Sequence, residues 1–158
     1  MADPGFDELS LAFEFVSSAP PGENNAYICL DTGRIYWTSE QGLRDEDVPD
    51  DLDTSDRYVL VPHKTELDLG RSLALRFVAK ALPENYDQVV SFFRKRGAYA
   101  RLKRLLESKG ALAQWYEYEA EAIEKGLREW CADTGIDLAQ IAAAASTERA
   151  DQFNKSPP

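Results

Sequence analysis

The sequence predicts an α+β fold, with a small antiparallel sheet of about three strands in the first third of the chain and four or five helices packed on it. Residues 27–31 and 34–38 are rich in β-branched and aromatic residues and lie on either side of Thr32-Gly33, a pattern typical of a hairpin. A compact apolar run at residues 58–61 ends at Pro62, which suits a third strand. Farther along the chain, apolar residues recur at helical spacing in successive stretches.

One helix is predicted ahead of the sheet, over residues 6–18, because apolar residues recur there at helical spacing before Pro20-Pro21-Gly22. The later helices are predicted from apolar stripes and from glycines placed as helix ends. The longest of these helices is expected over residues 111–133, and its apolar stripe is interrupted only by Glu119. The first of these later helices is expected to begin at Thr65 or Asp68, and the second to run from Pro83 to Gly97. The third is expected over residues 98–108, the fourth over residues 111–133, and the last is expected to begin at Asp137.

A chain of 158 residues can bury one sizeable core, so we expect a single α+β domain over residues 1–146. The apolar pattern stops after Ala145, which predicts a flexible tail over residues 147–158. No apolar run is long enough to span a bilayer, and the first residues lack the pattern of a secretion signal. These features predict a cytoplasmic protein that does not engage a membrane.

The sequence predicts neither a metal site nor a cofactor. The two cysteines, Cys29 and Cys131, are too few for a disulfide framework or a cysteine-type zinc site. Residues 40–56 hold eight carboxylates and one cation, Arg44, but lack the central glycine and closing glutamate of a calcium-binding EF-hand loop. We interpret this segment as a solvated acidic loop. No glycine-rich phosphate loop is present.

Three stretches together resemble an uncharacterised family of small bacterial proteins whose function is unknown. The resemblance covers about Ala26 to Ile136 and implies one α+β domain in a bacterial cytoplasm, without implying a reaction or a catalytic residue. Its most distinctive part is Gly97-Ala98-Tyr99, the basic helix that follows, and Trp115-Tyr116; Tyr99 and Leu102 stand where the family commonly has phenylalanine. The stretches are AYICLDTGRIYW, RYVLVPHKTELDLGRSLALRFV and RGAYARLKRLLESKGALAQWYEYEAEAIEKGLREWCADTGI.

The most informative functional feature is a basic segment in an acidic chain. Between Arg94 and Lys109 there are seven cations and one anion, a local balance of +6, whereas the whole chain carries −10. Arg101 and Arg104 lie on one face of the predicted helix over residues 98–108, opposite its leucines. The candidate partner-binding residues are Arg94, Lys95 and Arg96, expected in the last turn of the preceding helix, together with Arg101, Lys103, Arg104 and Tyr99.

If Tyr99 and Trp115 or Tyr116 are exposed, this surface would combine cations with stacking planes, which suits single-stranded nucleic acid or a phosphorylated ligand. Aromatic helix faces are more often buried, however, and we expect Trp130, Tyr116 and Phe93 to lie mainly in the core. The leading interpretation is therefore a non-enzymatic binding or regulatory domain that engages an anionic partner, either RNA or an acidic protein surface.

Two alternatives to that interpretation remain. The basic segment can be a solvated face, neutralised by the acidic loop of the same chain or of a second subunit in a homodimer. The protein can also be a small hydrolase that uses Asp31 or His63. Asp31 occurs in a single Asp-Thr-Gly turn followed by a cation, which turn preferences alone explain, and His63 is expected at the surface end of a strand. Cys29, the nucleophile that His63 could serve, lies in an apolar strand.

Overall fold

The computed structural model describes residues 3–40 and 48–154, with side chains described as far as residue 147. Much of the acidic loop, residues 41–47, and the end of the predicted tail, residues 155–158, lie outside the described residues. By its internal contacts the chain divides into two compact units, Met1–His63 with Glu129–Pro158, and Lys64–Arg128. The single-domain prediction for residues 1–146 stays a prediction.

The first unit contains the sheet. Helix α1 (Pro4–Ser17) is followed by strands β1 (Asn24–Cys29), β2 (Ile35–Ser39) and β3 (Tyr58–Leu60). The sheet has the order β2-β1-β3, and both pairings are antiparallel. The expected hairpin is confirmed: Tyr27 pairs with Tyr36, and the turn closes with the Gly33 N–H donating to the Cys29 carbonyl at 2.7 Å.

The core of the first unit lies where α1 meets the sheet and helix α6 (Leu138–Asn154). Gly5 lets α1 approach α6 closely, because a Cβ at this position would collide with the backbone carbonyl of Leu138. Leu9 and Ala12 are fully buried and Ile141 is nearly so, which matches the helical spacing of the apolar residues. A second apolar cluster on the sheet contains Tyr27, Cys29, Tyr36 and Leu52.

The second unit is helical. It contains α2 (Arg71–Ala81), a 3₁₀ turn (Pro83–Asn85), α3 (Tyr86–Phe92), α4 (Ala98–Ser108) and most of α5 (Leu112–Thr134), a helix whose last residues belong to the first unit. The side chains that this unit buries are Leu73, Phe77, Val78, Val89, Leu102, Leu106, Trp115 and Leu127. The predicted fold class, a small early sheet with helices after it, is confirmed, and the described residues contain six α-helices.

Three helix boundaries differ from prediction for local reasons. Helix α2 begins at Arg71 rather than after Thr65 or Asp68, because Asp68 has a φ of 55° and residues 64–69 form turns. The segment predicted from Pro83 to Gly97 is a 3₁₀ turn and a short helix that ends at Phe92. Helix α6 continues to Asn154, so the segment predicted to be a tail begins within a helix.

Candidate functional site

The cations of the basic segment lie in two adjoining parts of the chain. Arg94, Lys95 and Arg96 are exposed in the turn between α3 and α4, so the prediction that they occupy the last turn of a helix is wrong. In that turn the Arg94 N–H donates to the Ser91 carbonyl at 3.3 Å. Gly97 then adopts a φ of 80°, which glycine tolerates, and starts α4. The turn therefore places three cations just before the positive end of the α4 dipole.

Helix α4 has the two faces that its sequence predicts. Leu102 and Leu106 are fully buried, while Arg101, Lys103 and Arg104 are exposed. Consecutive residues of a helix are separated by about 100°, so Arg101 and Arg104 point to nearly the same side, whereas Lys103 points elsewhere. Burial of the leucines thus fixes the direction of the arginines.

None of these six cations forms an ion pair with another residue in the part of the chain that the structure describes. Ion pairs do form elsewhere, between Arg57 and Asp31 at 3.7 Å and between Arg128 and Glu124 at 3.2 Å. We refer to Arg94, Lys95, Arg96, Arg101, Lys103 and Arg104 as the cationic segment. No carboxylate of the described residues lies at salt-bridge distance from any of these side chains.

Tyr99, the aromatic residue predicted to join the site, is half-buried beside other side chains. Its ring packs edge-on against Phe93 at 5.3 Å between centroids, and the ammonium of Lys64 lies 4.6 Å from its centroid. Burial, with a smaller contribution from the negative charge of Glu119, raises the pKa of the Tyr99 phenol. The Tyr99 ring is therefore engaged within its own unit and presents only part of its surface.

Of the three aromatic candidates for the site, Tyr99, Trp115 and Tyr116, the exposed one is Tyr116 on α5. It retains 46% of its accessible surface, so the prediction that Tyr116 lies in the core is wrong, while its neighbour Trp115 is 1% exposed. Phe93 and Trp130 are intermediate in burial. The ammonium of Lys103 lies 5.8 Å from the Tyr116 ring centroid, within the range of a cation–π interaction. Lys103 is thus oriented toward α5, away from the two arginines of α4.

Glu119 is a half-buried carboxylate on α5 that sequence analysis did not assign to the site. Burial raises its pKa, and the positive charges of Lys103 and Lys64 oppose that rise. Glu119 follows Tyr116 by three residues, so the two side chains share a face of α5. Its signal in the sequence was the single interruption that it makes in the apolar stripe of this helix.

The structure does not bring the candidate hydrolase residues together. His63 is 6% exposed and its Nε2 lies 2.9 Å from the Ala19 carbonyl oxygen, so the prediction of a surface histidine is wrong. Cys29 pairs with Tyr58, five residues before His63 in the chain, and β3 ends at Leu60, so Cys29 and His63 do not face each other across β1 and β3.

Asp31, the other hydrolase candidate, follows the end of β1 by two residues, beyond Cys29. It is exposed in the hairpin turn, where its carboxylate faces Arg57 and its carbonyl accepts a hydrogen bond from the Gln140 side chain at 2.7 Å. These contacts are those of a turn that is attached to α6.

Within the described parts of the chain, no group of three or more His, Cys, Asp or Glu side chains is arranged to hold a metal ion. Over the same residues, no helix has the length and apolar character needed to cross a bilayer. Compared with protein-family models, with curated proteins and with solved structures, the chain gives no match.

Proposed function

We propose that this protein is a non-enzymatic binding or regulatory domain that docks an anionic partner on the cationic segment. One observation carries the proposal: six exposed cations of a strongly acidic chain, none in an ion pair with another described residue. Unpaired surface cations in a folded protein attract anions and orient them during encounter.

The charge distribution supports this proposal because the basic segment contrasts with the rest of the chain. Of the 18 Lys and Arg residues, seven lie between Arg94 and Lys109. The rest of the chain has 11 Lys and Arg residues and 27 of the 28 carboxylates, a net charge of −16 outside the segment. At physiological salt, charges are screened beyond about 8 Å, so a nearby anion experiences the local cations more than the net charge. The acidic remainder repels a polyanion that approaches elsewhere, which favours one mode of docking.

The proposal includes action in the bacterial cytoplasm, which the resemblance described above suggests. Cys29 and Cys131 are both buried, and they form no disulfide with each other. Cysteines that stay outside disulfides are usual where glutathione keeps thiols reduced, so this arrangement supports the proposed compartment.

The test uses a charge reversal at the two arginines that share a face of α4. Arg101→Glu/Arg104→Glu is compared with Lys80→Glu/Lys125→Glu, which makes the same change in net charge at exposed helical positions outside the cationic segment. The probes are a labelled single-stranded oligonucleotide and a labelled polyglutamate peptide, titrated at low salt by fluorescence anisotropy. We expect the first variant to lose binding to whichever probe the wild type binds, and the second to retain it.

Circular dichroism melting is the control for folding, and both variants should melt cooperatively because the substituted positions are exposed. The proposal is wrong if the wild type binds neither polyanion, or if both double variants bind as the wild type does.

A further inference from the structure

Tyr116 is an exposed aromatic ring held on a rigid helix beside the cationic segment. Its helix is anchored there by Trp115, whose ring is 1% exposed and contacts Phe77 at 5.4 Å between centroids. Because the preceding residue is fixed in the core, the position of the Tyr116 backbone is fixed as well. An exposed ring on such a support binds a flat partner with little loss of conformational entropy.

Lys103 links this ring to the cations of α4. Its ammonium lies 5.8 Å from the Tyr116 centroid, and its backbone is one residue from Arg104. A flexible lysine of this kind can turn from the ring to a phosphate without moving either helix. A ring for a base and one cation for the backbone, the ammonium of Lys103, therefore lie within reach of one another.

The exposed ring of Tyr116 and the cation beside it favour single-stranded nucleic acid over an acidic protein surface or a duplex. The face of an aromatic ring carries partial negative charge, so a glutamate or aspartate carboxylate cannot stack on Tyr116 and gains at most one hydrogen bond from its hydroxyl. A nucleobase has a π-face that stacks on tyrosine, and its phosphates match the cations. A duplex keeps its bases stacked inside, whereas a single strand exposes them.

We propose that the partner is single-stranded nucleic acid, with one base stacked on Tyr116 and the adjoining phosphates bound by Lys103 and the arginines of α4. The inference rests on the proposed function and specifies the partner of the same site. It assigns Tyr116 the role of the stacking residue, in place of Tyr99, whose ring is engaged by Lys64 and Phe93.

The experiment pairs a tyrosine variant with a probe that lacks bases. Wild type, Tyr116→Ala, Tyr116→Trp and Tyr86→Ala are titrated with a labelled single-stranded oligonucleotide and with an abasic oligomer of the same length. Tyr86 is the matched control, an exposed tyrosine on α3 with 37% of its surface accessible. Polyglutamate and the corresponding duplex serve as competing probes.

We expect Tyr116→Ala to weaken binding of the single strand by about 5-fold to 100-fold, the usual range for loss of one stacked base. The abasic oligomer should bind Tyr116→Ala and wild type equally, since its phosphates meet the same cations. Tyr116→Trp should restore the affinity for the single strand, and Tyr86→Ala should leave it unchanged.

The inference fails if Tyr116→Ala and Tyr86→Ala bind the single strand equally, or if polyglutamate or the duplex binds the wild type more tightly than the single strand does. Reversal of Arg101 and Arg104 separates this failure from failure of the proposed function. If that reversal abolishes binding of every polyanion while Tyr116→Ala changes nothing, the cationic segment is the docking site, and the proposal that a base stacks on Tyr116 is wrong. If no probe binds the wild type, both proposals are wrong.

Discussion

At the scale of single residues, Tyr27 links the sheet to the second half of the acidic loop. Its phenol donates a hydrogen bond of 2.6 Å to the Asp53 carboxylate, and the ring is 8% exposed. Burial, then the hydrogen bond and charge of Asp53, raises the pKa of Tyr27 to about 12. One buried aromatic residue thus positions a segment that lacks regular secondary structure.

Replacing Tyr27 by Phe should lower the free energy of unfolding by about 1–2 kcal/mol at neutral pH, because the Asp53 carboxylate loses a partner. Since the folded pKa is raised, the contribution of the phenol is fully present below about pH 10 and is lost as the pH rises to about 12. Urea unfolding of wild type and Tyr27→Phe should therefore converge over that range. Tyr86→Phe, at an exposed position, should change little; equal effects of the two substitutions would contradict the role of this hydrogen bond.

Glu119 is a carboxylate whose burial opposes its ionisation, although two lysines near it favour the ionised form. Burial raises its pKa, so the ionised form is disfavoured in the folded protein despite Lys103 and Lys64. The contribution of this carboxyl to stability is fully present at pH values below its unfolded pKa and falls as the pH rises through its raised folded pKa.

Glu119→Gln should therefore raise the melting temperature at neutral pH, and this gain should disappear in acid, where Glu119 is protonated in the wild type as well. Thermal melts at several pH values measure the effect, and Glu117→Gln, at an exposed position on the same helix, is the control. A melting temperature for Glu119→Gln that is lower than the wild-type value at neutral pH would show that the two lysines outweigh the cost of burial.

At the scale of secondary-structure elements, local signals predicted some boundaries well and others poorly. Helix α4 occupies the predicted residues 98–108 because Gly97 and Gly110, both with positive φ, begin and end it. Helix α3 is shorter than predicted because the backbone N–H groups of Phe93, Arg94 and Lys95 donate to carbonyls three residues back, which is turn rather than α-helical hydrogen bonding. The cations after Phe93 consequently lie in a turn.

The β1–β2 hairpin depends on a glycine that meets α6. Gly33 has a φ of 79°, and a Cβ there would lie 2.6 Å from the backbone of Gln140, so Gly33→Ala combines left-handed strain with a collision. We expect it to lower the free energy of unfolding by more than about 2 kcal/mol. Gly22→Ala is the matched control, because its φ is 92° with nothing within 4 Å of a Cβ, and it should cost about 1 kcal/mol.

Chemical denaturation of the two alanine variants measures this difference. A smaller loss for Gly33→Ala than for Gly22→Ala would mean that the hairpin does not depend on its contact with α6.

At the scale of the whole molecule, a net charge of −10 coexists with a local excess of cations. If all six cations of the cationic segment contact phosphates of a single strand, the logarithm of affinity should fall with the logarithm of salt with a slope of about −4. That slope corresponds to a loss of about 300-fold between roughly 50 and 200 mM salt. Titration of the labelled oligonucleotide at several salt concentrations measures the slope, and a value near zero would contradict binding through phosphates.

The sequence by itself determined the fold class, the faces of α4 and the location of the basic segment, because turn residues, helical spacing and charge are local properties. Only the tertiary structure decided that Tyr116 is exposed and Trp115 buried, that Lys103 is oriented toward Tyr116, and that His63 is enclosed beside Ala19. The physical reason is that the spacing of apolar residues defines the faces of a helix or strand. Which face is buried, and by which side chains, depends on residues distant in the chain. For the same reason the cations of the candidate site were found in the sequence, while the exposure of Tyr116 was not.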